Sequence, residues 1–544
     1  MSGNSTLWHP GHASLRTDLG RDVATVDGRE EHRLVVADQH TEVERKYDVP
    51  PGARVPELTS VPEVDRVAPA DEVELDATYF DTAGLALARA GITLRRRTGG
   101  ADAGWHLKLP VSADIRSEVR RPLEEGHGGA PAELLEYVRA FVRDQEVAPV
   151  MSVRNRRVVH RLLDAEGRTL AELCDDHVTA QHPADGSPPG HWREWEVELV
   201  DGTDLLEPVE TLLLNAGARP AGSSSKLARA LGERLPGPTG RSRATRPGRN
   251  DATGVLLTEY LSEHVSRLKQ EDLRLRAGDD EGVHQMRIAA RRLRSALATY
   301  RDVLAPGSAE GLRAELKWLG GVLAPARDAQ VLRERLGELV RHQPAELVLG
   351  PVPQRIDNEL GASFRTGRSE AELALAGKRY FRLLDRLDTF TSAPPFSEAA
   401  QQPIRRGVPR LLQADLKRVR KRHRAVEEAP DQHAQDLAHH EVRKAAKRLR
   451  YAAETARPVF GKRAKRLGTR AKRIQQMLGE HQDTVVARDT LREIGVQAHL
   501  DGENGFTFGR LHALEQGRAA ELEREYPSLL EHLPTRKLRS WLDH

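Results

Sequence analysis

TEVERKYDV, residues 41–49, decides how the first half of this chain folds. Glu42, Glu44 and Lys46 recur at every second position, and side chains two apart on a strand share a face. The stretch therefore predicts a strand with two carboxylates and an ammonium on one side and Val43, Arg45 and Tyr47 on the other. Period-two runs recur downstream at ATYFDT (77–82), ITLRRRT (92–98), WHLKLP (105–110), RSEVRRPL (116–123), VRNRRVVHRLL (153–163), RTLAELCDD (168–176) and EWEVELV (194–200). They predict an antiparallel sheet or barrel. Helical spacing interrupts them at 130–142 and at 206–217, the second ending on Gly217 as a C-cap.

Sorting charges by strand face gives an uneven result. Glu194, Glu196 and Glu198 align; so do Arg95 with Arg97, His106 with Lys108, Arg116 with Glu118 and Arg120, and Arg154 with Arg156. Ordinary surface strands also alternate charge. Here six or seven charged faces cannot all turn to water if Val43, Leu94, Leu107, Val119, Trp195 and Val197 form a core between them. A closed sheet with a polar lumen and an apolar jacket accommodates them. Clustered carboxylates in such a lumen need a cation, and oxygen-only ligands suit Mg²⁺ or Mn²⁺. The Arg and Lys groups need an oxygen-rich anion, for which phosphate best matches the guanidinium fork.

The ordered series E-x-E-x-K (Glu42, Glu44, Lys46), YFDT, LRRR, WHLKLP, VRNRR, EWEVEL and SSSKLARAL around Lys226 resembles the CYTH family, also called triphosphate tunnel metalloenzymes. The resemblance spans about 190 residues and implies an eight-stranded antiparallel β tunnel that binds a triphosphate and divalent metal. Members hydrolyse inorganic triphosphate, thiamine triphosphate or RNA 5′-triphosphate, or cyclise ATP. By that likeness Glu42, Glu44, Glu196 and Glu198 hold metal, while Lys46, Arg95, Arg97, Lys108, Arg156 and Lys226 hold phosphate oxygens. One sequence leaves open Arg154 against Arg156, and Glu194 against the two later glutamates.

A chain of 544 residues is too long for one core, and its net charge of +3 averages over unlike halves. Asp and Glu exceed Lys and Arg by 11 over residues 38–235; Lys and Arg lead by 15 over 236–544. Cys174 is the single cysteine, which excludes an internal disulfide framework and favours a reducing compartment. No apolar run approaches the roughly 20 residues that span a bilayer, and the start lacks a signal-peptide pattern. A cytoplasmic protein without a membrane partner is expected. Residues 1–37 read as a flexible extension, 38–235 as the tunnel domain and PGPTGRSRATRPGRNDATG (236–254) as a linker.

The second half carries helical periodicity and an internal repeat. VHQMRIAARRLRSAL (283–297) aligns with HEVRKAAKRLRYAA (440–453), placing His284 over His440; LGGVLAPARDAQV (319–331) aligns with IQQMLGEHQDTVV (474–486), placing Asp328 over Asp483. The break TSAPPFSEAAQQP (391–403) reads as dividing it into two lobes, about 255–390 and 404–540. His284, Arg287, Arg291 and Arg294 fall on one helical face, and His440, Arg443, Lys447 and Arg450 repeat it. Lys417, Arg420, Lys421 and Arg424 form a third basic stripe, with few acids interleaved. Uncompensated repulsion of this kind calls for a polyanion. Few aromatics are present for base stacking, so specific nucleic-acid recognition is not expected.

This repeat resembles the CHAD domain, named for its conserved histidines and α-helices, over about 255–540. The resemblance implies an all-α domain of two four-helix bundles that binds inorganic polyphosphate, with His284 and His440 as phosphate ligands and metal ligation or a buried structural role as the runner-up. His481 departs from the first repeat, where Arg327 sits near the equivalent position. An α+β multidomain chain is expected: a CYTH tunnel followed by CHAD, similar to bacterial inorganic triphosphatases. That reading predicts inorganic triphosphatase activity and association with polyphosphate granules. The alternatives are a polyphosphate-targeting protein without turnover, and an enzyme acting on thiamine triphosphate or nucleoside triphosphates, adenylate cyclisation included.

Overall fold

The computed structural model describes residues 39–112, 114–123, 129–183, 188–201, 205–235, 246–531 and 542. The predicted extension over 1–37 and most of the predicted linker, residues 236–245, lie outside the described residues.

Ten strands form one antiparallel sheet: β1 (Gln39–Asp48), β2 (Arg66–Val67), β3 (Asp71–Thr82), β4 (Thr93–Thr98), β5 (Gly104–Pro110), β6 (Ile115–Arg121), β7 (Val147–Leu163), β8 (Thr169–Gln181), β9 (Gly190–Leu199) and β10 (Arg219–Pro220). Eight of them run β1-β6-β5-β4-β3-β7-β8-β9, and β9 pairs back onto β1 to close a barrel. The two-residue strands β2 and β10 attach to β7 and β1.

Alternation sets the barrel inside out. The lumen takes the charged positions, and the intervening Tyr47, Leu162, Leu173, Trp195 and Val197 pack outside against Val209 and Leu213. Among the described residues, five short helices accompany the strands: α1 (Ala86–Arg89), α2 (Ala132–Tyr137), α3 (Arg139–Val142), α4 (Leu206–Asn215) and α5 (Lys226–Leu231). α4 stops just before Gly217, whose φ of +92° fits the predicted C-cap. The YFDT motif has a structural purpose: buried Asp81 accepts hydrogen bonds from the backbone N–H groups of Thr82, Leu87 and Ala88 at 2.7, 2.9 and 2.9 Å, tying β3 to α1. At one end of the barrel, α5 packs Leu227 and Leu231 against Met151, Val153, Val178 and Ala180. Ser225 caps this helix by accepting the Ala228 N–H at 3.0 Å, which places Lys226 at its first turn.

Among its described residues the second half is built of helices: α6 (Thr253–Arg276), α7 (Glu281–Thr299), α8 (Glu310–Val322), α9 (Ala324–Arg341), α10 (Val352–Leu375), α11 (Lys378–Ser392), α12 (Ile404–Glu427), α13 (Gln432–Leu500) and α14 (Phe506–Glu531). α13 is two helices broken at Gly461, where φ is +51°. Its halves fold back on each other, as the 3.0 Å hydrogen bond from Arg450 to Gln475 shows.

The repeats do not form separately cored lobes, which corrects the division expected at 391–403. One core joins α6, α7, α8 and α11 of the first repeat to α12 and residues 442–478 of the second. The other joins α9 and α10 to the end of α13 and α14. Each repeat leaves an apolar stripe that its counterpart covers, so a bundle closes only when the two repeats interleave. The barrel docks on this helical body through α2 and α3. Ala140 enters the larger core, Arg143 pairs with Asp385 and Asp388 of α11, and Arg276 of α6 reaches Glu136 at 3.4 Å.

Candidate active site in the barrel and the basic helical face

The barrel encloses a cavity of about 250 Å³, lined by Glu42, Glu44, Lys46, Tyr79, Thr93, Arg95, Arg97, Asp102, Lys108, Arg116, Arg120, Arg157, Glu172, Glu196, Glu198, Ser224, Ser225 and Lys226. Every predicted barrel residue except Arg156 lies in that lining. Register explains the convergence. Glu44 pairs with Glu198 across β1 and β9, and Glu198 with Glu172 across β9 and β8, giving a row of three carboxylates on adjacent strands. One step deeper, Lys46 pairs with Glu196.

Arg156 stands on the outer face and bonds Glu72 at 3.2 Å, while Arg154 bonds Asp76 at 3.1 Å. These two arginines match the acids of β3 as a solvent-side ladder. Their visible alternation therefore marked the wrong face. Arg157, with inward parity, enters the lumen and grips Asp176 with two bonds of 2.7 Å and Glu196 with one of 2.5 Å. Glu194, left open against the two later glutamates, lies behind Lys226, outside the cavity lining, 2.8 Å from that ammonium. Reading the sequence also missed Glu172, whose strand mixes Ala171, Leu173 and Cys174 around it and so hides its alternation.

Most lumen charges are paired. Lys46 bridges Glu44 at 2.6 Å and Glu196; Lys108 pairs with Glu42; Arg116 bonds Glu44 at 3.1 Å; Lys226 meets Asp176, Glu194 and Glu196 at 2.8, 2.8 and 3.1 Å. Burial disfavours ionisation of Glu118, yet the His106 N–H 2.9 Å away, Lys108 and Arg95 hold its carboxyl well below the usual range. Two groups are left in tension. The Glu198 carboxyl is pushed up to about 7, first by burial and then by Glu42, and it makes no ion pair among the described residues. On the other wall Arg97 pairs with Asp102, yet burial and the neighbouring Arg95 and Arg157 push its guanidinium down to about 9. A cation beside Glu198 and an anion beside Arg97 relieve both. The oxygen donors of Glu42, Glu44, Glu172, Glu196 and Glu198 fit a hard divalent ion.

In the helical region, α7 and α13 bring two stripes together. Arg291 bonds the Tyr451 hydroxyl at 3.1 Å, and Arg287 pairs with Asp328 at 2.9 Å. Burial, then Arg443, Arg291 and Arg287, push the Lys447 ammonium down to about 7. His284 lies among Arg327, Arg291 and Arg287, and His440 beside Lys444 and Arg443. Arg450 turns to Glu454 at 2.9 Å, and Arg294 is exposed. Lys417, Arg420 and Lys421 stand on α12, with the two lysines exposed. Among the described residues, no helix is long and apolar enough to cross a membrane.

Comparison with known proteins gives the same division of the chain. The CYTH domain family matches residues 40–226 and the CHAD domain family residues 259–492. An uncharacterized Mycobacterium tuberculosis protein, Rv2226, is 40% identical over 514 residues, covering 91% of this chain and 96% of the relative; MT2285, from a second strain, gives the same figures. Among solved structures, PptA from Streptomyces chartreusis is similar at 24% identity and a TM-score of 0.44, covering 52% of this chain and 99% of that one. The CHAD domain of the plant Ricinus communis follows at 26% identity and 0.44, covering 54% and 96%. CYTH domains are metal-dependent enzymes that act on triphosphates. This chain is a member of the CYTH–CHAD family, its closed barrel the CYTH tunnel and its interleaved helices the CHAD domain.

Proposed function

We propose that the barrel hydrolyses inorganic triphosphate and that the basic face of α7 and α13 binds inorganic polyphosphate. The observation that carries the first part is the Glu44–Glu198–Glu172 row facing Lys108, Arg95 and Arg97 across a cavity of about 250 Å³. Among the described residues Tyr79 is the one aromatic side chain in its lining, so a purine has little to stack on, which favours a bare triphosphate over a nucleotide.

Lys46, Arg95, Arg97, Lys108, Arg157 and Lys226 bind the phosphate oxygens and stabilise the charge that gathers on them as the anhydride P–O bond breaks. Glu42, Glu44, Glu196 and Glu198, joined by Glu172, would hold Mg²⁺ or Mn²⁺. Such an ion, when bound, neutralises phosphate charge and lowers the pKa of attached water. A carboxylate of the row takes the proton of the attacking water; phosphate and pyrophosphate are the products. In the helical region, Arg287, Arg291, Arg443 and Lys447 crowd like charges at close quarters, and a polyanion removes that repulsion.

Phosphate release from tripolyphosphate, ATP and thiamine triphosphate with Mg²⁺ or Mn²⁺ tests the enzyme reading. Tripolyphosphate is expected to be the fastest, and Glu44→Gln to lose about 100-fold or more, since the metal supplies several kcal/mol. Equal rates in the variant would rule out the metal role, and preference for ATP would favour the nucleotide reading. For the helical face, Lys447→Ala with Arg291→Ala is expected to weaken binding of long-chain polyphosphate and flatten its salt dependence.

A further inference from the structure

A second cluster of metal-ligand chemistry lies in the helical region, away from the barrel. Asp436 and His439 are three residues apart on the first half of α13 and so share a face. His481 comes from the second half of α13 and Glu523 from α14. Nε2 of His481 is 2.8 Å from Glu523 Oε1 and 4.0 Å from Asp436 Oδ1. One ligand atom each from Asp436, His439 and His481 lies within 4.8 Å of the others. Both imidazoles are buried, at 4% and 5% exposure, and among the described residues Nδ1 of His439 has no hydrogen-bond partner. An enclosed polar nitrogen without a partner costs free energy that a ligand recovers.

The internal repeat supplies a comparison within the same molecule. At the offset that aligns His284 with His440, Val283 stands opposite His439; at the offset that aligns Asp328 with Asp483, Ala326 stands opposite His481. Val283 and Ala326 are buried members of the larger apolar core. The first repeat therefore fills these places with hydrocarbon, and the second fills both with imidazole. Packing alone does not require that change. An acid-x-x-His pair projecting into a helix bundle, with further ligands from facing helices, is a known way for bundles to hold metal.

We propose that Asp436, His439 and His481, with Glu523 beside His481, bind one divalent transition-metal ion of the zinc class. Two imidazole nitrogens and a carboxylate oxygen match zinc, whereas Mg²⁺ prefers oxygen ligands alone. The ion ties together the two halves of α13, on either side of the break at Gly461, next to α14. Neither His284 nor His440 takes part.

The full-length chain, stripped with a chelator and dialysed, is titrated calorimetrically with Zn²⁺ in excess Mg²⁺, which keeps the barrel carboxylates occupied. One tight Zn²⁺ per chain is expected, unchanged in Glu198→Gln. It is lost in His439→Val with His481→Ala, substitutions that install the first repeat's own residues. Circular dichroism reports whether that variant folds. Independently of any variant, Co²⁺ in place of Zn²⁺ is expected to give the visible ligand-field bands of a four-coordinate, nitrogen-ligated ion. Absence of a tight Zn²⁺ equivalent, its loss in Glu198→Gln, its persistence in the folded double variant, or the pale spectrum of six-coordinate oxygen ligation would each overturn the proposal.

Discussion

Glu198 stands half-buried between Glu44 and Glu172 and has no cation within ion-pair reach among the described residues. Its carboxyl, at about 7, is protonated through mildly acidic pH, so protons compete there with metal. At subsaturating Mg²⁺ the triphosphatase rate is expected to fall by up to about tenfold per pH unit below 7, and added Mg²⁺ to move that limb to lower pH. An acid limb insensitive to Mg²⁺ would discard Glu198 as a ligand. The sign for stability is opposite: a raised carboxyl pKa stabilises the fold below about 4.5, the unfolded value, and that contribution is lost as pH rises through about 7. The metal-free protein is therefore expected to melt lower at pH 8 than at pH 5, and Mg²⁺ to restore the difference. Arg157 and Arg156 make a second test. Loss of a charged hydrogen bond costs about 1.5–3 kcal/mol, so Arg157→Ala should lower kcat/KM for tripolyphosphate by roughly 10- to 100-fold. Arg156→Ala, outside, should stay within about twofold. The face of each acid on β1 and β9 was legible because polar and apolar residues alternate cleanly there. In β7 the outer arginines carried the stronger alternation, and only pairing with Asp76 and Glu72 of β3 reveals which face is dry.

Elements fared unevenly for related reasons. Eight strands and the helix ending at Gly217 were readable from period and cap. The helical repeat was readable as a repeat, but which stripe covers which is a tertiary fact: Leu256 and Leu293 share a core with Leu416 and Leu449 although long stretches of chain separate them. The break in α13 is an element-scale feature with a sharp test. Gly461 has φ +51° and ψ −122°, and a Cβ there would meet nothing within 4 Å. Gly461→Ala thus incurs backbone strain alone, about 1–2 kcal/mol, seen as a lower urea midpoint. Gly517→Ala, in α14 with equally open space and helical backbone, should stabilise the fold by about 0.5–1 kcal/mol, seen as a higher midpoint. Equal effects of the two would mean that the break imposes no conformational demand.

For the whole molecule, the docking of barrel on helices matters most. Arg143, itself at φ +57°, reaches two aspartates of α11, and Lys269 shares one of them at 2.7 Å. Those aspartates are partly exposed, so the pairing is worth about 1 kcal/mol after solvent screening. Arg143→Ala is expected to raise amide exchange in α2, α3 and α11 together while tripolyphosphate hydrolysis stays within about twofold; exchange confined to α3 would show that Ala140 packing alone holds the domains. The barrel's closure has a further consequence, in the order of assembly. Lys46 and Glu196 are 150 residues apart, and bringing such distant strands side by side costs about 4 kcal/mol of chain entropy. β1 leaves the ribosome first yet must wait, with a row of carboxylates unmatched, until β9 has been synthesised. Nascent chains that have not yet reached β9 therefore carry half a metal site, and divalent-ion affinity should appear in one step, as the last strand zips onto the first.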